Sequence, residues 1–242
     1  MTATQRDRET RFDVPLYSVA ESARYLGVPA STFHTWARGY IRRPKGQNAV
    51  TGARILSVAP GAGSEPSVSF VGLAEGMVLA AIRKSGVPMQ RIRPALLELQ
   101  EKIGVTHALA SRSLYTDGAE VLYDFAEEHP RVLAADVARD LVVIRNGQRV
   151  FNDIVQEYLQ RIEYADDGFA RLVYLPDYRN REVVADPLRS FGKPIFVHGG
   201  ARVSDVIDRF QAGESLAELS DEFGVPEGEL EDAVRVASRR AA

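Results

Sequence analysis

A mainly helical α+β fold is what this 242-residue sequence predicts: an N-terminal winged helix-turn-helix, a mixed middle region, and a C-terminal three-helix unit that is itself helix-turn-helix-like. Three observations predict it. First, one design occurs twice. Ser18 and Ser215 each stand three residues before a glutamate, Glu21 and Glu218, a spacing that lets serine and glutamate cap a helix reciprocally. Each short helix then stops at Gly-Val-Pro, at 27–29 and 224–226, and a second helix follows. Second, residues 72–104 carry apolar side chains three and four apart, the period of a helix face. Third, residues 105–185 hold short apolar runs and an Asn146-Gly147 pair, the signal of a tight hairpin.

Taken in order, residues 1–12 are polar and read as a disordered arm, with arginines suited to a phosphate backbone. Val19, Ala20, Ala23 and Leu26 make one face of the first helix. Pro29, favoured at a helix start, opens a second helix over 30–38 with Phe33 and Trp36 turned to the core. Glycines and prolines between 46 and 66 punctuate two apolar runs, 54–59 and 67–71, which read as a β-hairpin wing. Residues 72–104 then read as two helices, the second opened by Pro88 and interrupted or kinked at Pro94, closing a first domain at 13–104. The region 105–185, a linker or dimerisation region, reads as strand (113–116), helix (119–128), strand (141–145), helix (154–162) and strand (170–175). The last unit, 186–242, reads as a separate domain, with an extended lead-in over 187–197 and helices over 203–210, 215–223 and 227–239.

Composition narrows the class. The absence of cysteine excludes disulfides and a thiolate zinc site, and fits a reducing cytoplasm. No apolar run approaches the ~20 residues of a membrane span. The net charge of −3 hides an asymmetry. Residues 1–60 hold nine Lys/Arg against four Asp/Glu, while residues 203–234 hold ten Asp/Glu against Arg209 alone. A basic head and an acidic tail imply different partners for the two ends. An enzyme is not expected: no Gly-rich phosphate loop, H-E-x-x-H or G-x-S-x-G occurs, and neither metal nor cofactor is implied.

Two helices joined by a short glycine turn form the helix-turn-helix, whose second helix enters the major groove. Its exposed residues here, Ser31, Thr32, His34 and Thr35, are hydrogen-bonding types suited to base edges. Arg38, Arg42, Arg43 and Lys45 follow directly, with Arg54 on the expected wing, and suit phosphates. The C-terminal copy of this design is acidic, so phosphate would repel it and a protein partner suits it better.

Residues 17–36 resemble the winged helix-turn-helix of MerR-like regulators: Tyr17-Ser18, Glu21, Ala23, Gly27-Val28, Thr32 and Trp36 stand where that pattern has them. Residues 186–234 closely resemble the small domain of VapB-type antitoxins paired with PIN-like nuclease toxins. The carriers are Phe191-Gly192-Lys193-Pro194, Arg202-Val203, the 212–215 boundary Ala-Gly-Glu-Ser, and Phe223 to Val234. Together the two matches cover about half of the chain, and the helix-turn-helix head departs from the ribbon-type arm of short VapB proteins. The resemblance implies a homodimeric antitoxin that represses its own operon by binding operator DNA and neutralises a PIN-like toxin. PIN-like sites hold a metal with carboxylates, which an inserted arginine could pair with as a fork. Candidates are Arg189, Arg235, Arg239 and Arg240. The alternative is a one-component regulator whose middle region binds a small effector, with Tyr115, Tyr123, Phe125, Tyr158, Tyr164 and Tyr174 around a pocket.

Overall fold

The computed structural model describes residues 3–43, 49–59, 65–145 and 148–241. Lys45 lies outside them, as do the side chains of Arg42 and Arg240.

The chain begins with helix α1 (Ala3–Phe12), where a disordered arm was expected. Tertiary contacts hold it. Arg11 is 5% exposed, donates to the Ala170 carbonyl at 3.1 Å and pairs with Asp167 at 2.5 Å. Phe12 packs edge-on against Phe169 and His107. Helices α2 (Val19–Tyr25) and α3 (Ala30–Arg38) follow, with the predicted capping box formed by Ser18 and Glu21. Between them Gly27 takes φ of 64°, a left-handed value that glycine adopts without strain.

The wing falls earlier than predicted. Strands β1 (Tyr40–Arg42) and β2 (Val50–Gly52) pair antiparallel, Tyr40 opposite Gly52. The Tyr40 ring lies where a side chain at 52 would be, so glycine is needed there. Residues 54–59 are not a strand. Ile55 and Leu56 donate their N–H groups to the Trp36 carbonyl at 2.9 and 3.1 Å, which ties this segment to the end of α3. Val68 bridges to Tyr17, and Ser69 caps the next helix instead of continuing a hairpin.

That helix, α4 (Phe70–Lys84), is the hub. Every residue from Phe70 to Ile82 is buried, as befits a helix apolar around most of its circumference. Gly76 lets α4 approach the helix-turn-helix: a methyl there would come within 2.6 Å of the Phe33 ring. Helix α5 (Met89–Ile103) runs through Pro94 without a break. Helix α6 (Arg112–Glu128) begins at a Ser111 cap and absorbs the strand expected at 113–116. Helix α7 (Leu133–Asp140) packs on α5 and α6. Strands β3 (Val142–Arg145) and β4 (Gln148–Phe151) pair as a hairpin, and the expected Asn146-Gly147 turn between them lies outside the described residues.

Helix α8 (Asp153–Leu159) leads into an antiparallel sheet of β5 (Ile162–Tyr164), β6 (Ala170–Tyr174), β7 (Val183–Ala185) and β8 (Ile195–Phe196), ordered as in sequence. Helices α9 (Val203–Gln211), α10 (Leu216–Phe223) and α11 (Glu227–Ala241) close the chain. β8 pairs with β7 across the expected boundary at 185/186, so the C-terminal unit shares this sheet with the middle region. The unit also docks on the head. The Tyr17 hydroxyl donates to the Gly192 carbonyl at 3.0 Å, and Lys193 pairs with Glu21 at 2.5 Å. Buried residues spread from Tyr17 to Val236 form the main hydrophobic core, and Leu172, Val184 and Ile195 form a second, smaller cluster. Among the described residues no helix is long and apolar enough to cross a membrane.

Candidate nucleic-acid interface

The recognition helix α3 is amphipathic in the sense its sequence requires. Phe33, Trp36 and Ala37 are buried, each at most 1% exposed. Burying a large aromatic side chain is worth about 1.5–3 kcal/mol, so these residues fix the rotation of α3 on α4. The opposite face presents Ser31 and His34 fully to solvent, with Thr32 and Thr35 half-buried beside them. The Thr35 hydroxyl donates to the Thr32 carbonyl at 2.7 Å, leaving its oxygen free to accept. Arg38 stands exposed at the end of the helix. Arg42 lies in β1, Arg43 follows it exposed, and Arg54 is exposed just after β2. Along the chain Arg38 thus precedes the hairpin, Arg42 and Arg43 stand at the end of its first strand, and Arg54 follows its second.

The wing's base is locked through Glu75, a fully buried carboxylate on α4. Its Oε2 accepts the Ser57 N–H at 3.0 Å and its Oε1 lies 3.3 Å from His107 Nδ1. Sequence inspection missed this residue because it stands within an otherwise apolar helix. It missed Arg93 for a related reason. Arg93 stands next to the Ile92–Leu96–Leu99 stripe and is itself buried, 6% exposed, with its guanidinium by the Tyr40 ring of β1.

At the other end, Arg189 and Arg239 are exposed, as a partner contact would need. Arg235 is already committed: it pairs with Asp232, a 4%-exposed carboxylate that also accepts the Arg179 N–H at 2.9 Å. Several of the acidic tail residues are likewise structural. Glu214 and Glu222 both hold Arg209, Glu218 closes its capping box, and Glu229 lies 2.5 Å from His198 Nδ1. Asp205, Asp208, Asp221, Glu227 and Glu231 remain exposed on the surface.

The middle-region aromatics go to different places. Phe125 and Tyr158 are in the core, Tyr123 lies under the Arg149 guanidinium at 3.9 Å, and Tyr174 donates to Glu163 at 2.6 Å. Glu98, Glu128 and His129 cluster closely enough for a cation, but Lys102 already reaches both carboxylates at 3.2 and 2.9 Å.

Comparison with known proteins decides the family. Residues 15–96 match a domain family described as "Putative DNA-binding HTH domain", and residues 183–237 match a family described as "Protein of unknown function (DUF433)". Over 234 residues the chain is 48% identical to the protein named "Putative antitoxin VapB45" of Mycobacterium tuberculosis, covering 96% of this chain and 98% of that one. The chain belongs to the VapB45 family. A second relative from the same organism, "Uncharacterized protein Rv2308", is 31% identical over 92% of this chain and 90% of its own. The crystal structure of Rv2018 from Mycobacterium tuberculosis superposes with a TM-score of 0.81 at 45% identity, covering 93% of this chain and 99% of that one. The two domain matches meet the VapB45-family fold at α2–α5 and at β7–α11. The first includes the hub helix, so the helix-turn-helix and α4 form one module, and the second begins on the sheet at β7.

Proposed function

We propose that this VapB45-family chain is the antitoxin of a toxin–antitoxin pair, and that it represses its own operon by binding operator DNA as a homodimer. In this reading α3 reads base edges through Ser31, Thr32, His34 and Thr35. Arg38, Arg42, Arg43, Lys45 and Arg54 neutralise backbone phosphates, and two copies engage an inverted repeat. The C-terminal unit, β7 to α11, grips a PIN-like ribonuclease toxin. Arg189 and Arg239, with Arg240, approach the toxin's carboxylate cluster, and the exposed acids of α9–α11 face its basic RNA groove. Arg235 belongs to the same set, and a toxin carboxylate would compete with Asp232 for it.

The observation that carries the reading is that one core joins a polar, outward-facing recognition helix to an acidic three-helix unit. Tyr17–Gly192 and Glu21–Lys193 tie the two ends together. The test is co-expression with the product of the neighbouring gene, followed by size-exclusion chromatography with light scattering. A stable complex that rescues growth arrest supports the antitoxin role. A dimer that ignores its neighbour would leave a regulator without a toxin.

A further inference from the structure

Arg93 on α5 carries a charge that the described residues leave unsatisfied. It is 6% exposed, and its Nε and Nη1 are buried with no hydrogen-bond acceptor among the described residues. Its guanidinium lies over the Tyr40 ring, 5.5 Å from the centroid. That contact uses the face of the group and not its in-plane N–H donors. Burial pulls the Arg93 pKa below the ordinary guanidinium value, although arginine keeps its proton in proteins. A buried cation with idle donors is costly, and such groups are normally paired.

The space that Arg93 lines suggests the missing partner, which its buried Nε and Nη1 would meet on a turn of the side chain. It lines a cavity of about 500 Å³ between the start of α3, the turn after α4 and the start of α5. Arg83 and Gln90 also line it, as do Ser31, Thr32 and Thr35. No carboxylate among the described residues does. Both α3 and α5 begin here, behind Pro29 and Pro88, neither of which offers a side-chain cap. Thr35 already spends its proton on the Thr32 carbonyl, so Ser31 and Thr32 are the hydroxyl donors.

We propose that this cavity is an oxyanion site that takes a phosphate group, with Arg93 as its principal ligand and Arg83, Ser31 and Thr32 at its rim. Two guanidiniums and several N–H and O–H donors spread around a space larger than one phosphate suit a tetrahedral anion attached to something else. That group is either a phosphodiester of bound DNA or the phosphate of a small molecule. The proposal shares Ser31 and Thr32 with the operator reading, and Arg93 and Arg83 are what set it apart.

The test is an amide-shift titration of the full chain with inorganic phosphate against sodium chloride at equal ionic strength, with fluorescence anisotropy on the duplex upstream of its own coding sequence as a second arm. Phosphate, and not chloride, should shift the Ser31, Thr32 and Gln90 amides. Arg93→Met should weaken this about tenfold or more, as loss of a charge-assisted contact does, and Arg83→Gln, a surface change, should weaken it less. In phosphate-free buffer Arg93→Met should melt no lower than wild type, whereas a purely structural arginine would lower the melting temperature. If phosphate also competes with the duplex, and Arg93→Met loses duplex affinity in proportion, the source is the DNA backbone. If duplex affinity ignores both, the source is a small phosphorylated ligand. Absence of phosphate-specific shifts, or shifts that persist in Arg93→Met, overturns the proposal.

Discussion

Replacing Glu75 with alanine tests how the wing is held against the hub. The carboxylate is fully buried on α4, accepts the Ser57 N–H at 3.0 Å, and lies 3.3 Å from His107 Nδ1. Hydrogen bonds to a charged group are worth about 1.5–3 kcal/mol. The Ser57 contact is well placed and the His107 contact is long, so Glu75→Ala should cost roughly 2–4 kcal/mol, including the Ser57 N–H left without its acceptor. For a chain of this size each kcal/mol moves the melting temperature by about 2–4 °C, so a drop of roughly 5–15 °C is expected in thermal denaturation. Glu75→Gln keeps an acceptor for Ser57 and should lose about half as much. Hydrogen exchange locates the effect. Ile55, Leu56 and Ser57 should exchange faster in Glu75→Ala, because their anchors at the Trp36 carbonyl and Glu75 act together. A melting temperature unchanged in Glu75→Ala, with protection at 55–57 intact, would refute the reasoning and detach the wing from α4.

Three further predictions follow from the same geometry. Arg11→Met should cost about 1–2 kcal/mol, because Asp167 is partly solvated and the pair is discounted accordingly. Partial burial pushes the Asp167 carboxyl up, but the Arg11 hydrogen bond and charge outweigh it and hold its pKa below the usual value. A depressed folded-state pKa stabilises above the unfolded value, so the gap between wild type and Arg11→Met should be full near neutrality and shrink as pH falls through the acid range, read by urea denaturation. Arg38→Gln and Arg54→Gln should each flatten the salt dependence of duplex binding by roughly one counterion, while Thr32→Ala should weaken binding to the cognate duplex more than to a scrambled one. Arg239→Glu should weaken toxin capture and leave duplex affinity unchanged. A truncation at 235 would not serve, since it removes Val236, which is 1% exposed.

Local rules made much of the fold legible in advance. The two capping boxes, the two Gly-Val-Pro turns, the β3–β4 hairpin and the apolar spacing of α4, α5 and α9–α11 are each set within a few residues, and each is where the sequence places it. What was not legible depends on partners far along the chain. The polar helix α1 has little to bury by itself and is held by Arg11 reaching Asp167 and Ala170. The segment 54–59 has a strand's composition, but the Trp36 carbonyl and Glu75 claim its N–H groups and leave β1–β2 to form the wing. Residues 113–116 are rich in strand formers, yet a Ser111 cap carries them into α6. The base-reading face of α3 could be read because Phe33 and Trp36 fix its rotation. The roles of Glu75 and Arg93 could not, because only the packing shows that these charges are buried.

The measurement that bears most directly on the account is an anisotropy titration of the full chain on the duplex upstream of its own coding sequence, with Thr32→Ala and Arg38→Gln in parallel. The account predicts saturable, salt-sensitive binding that Thr32→Ala weakens selectively and Arg38→Gln weakens uniformly. Binding that both variants leave intact would contradict it, and would place the DNA contact somewhere other than α3.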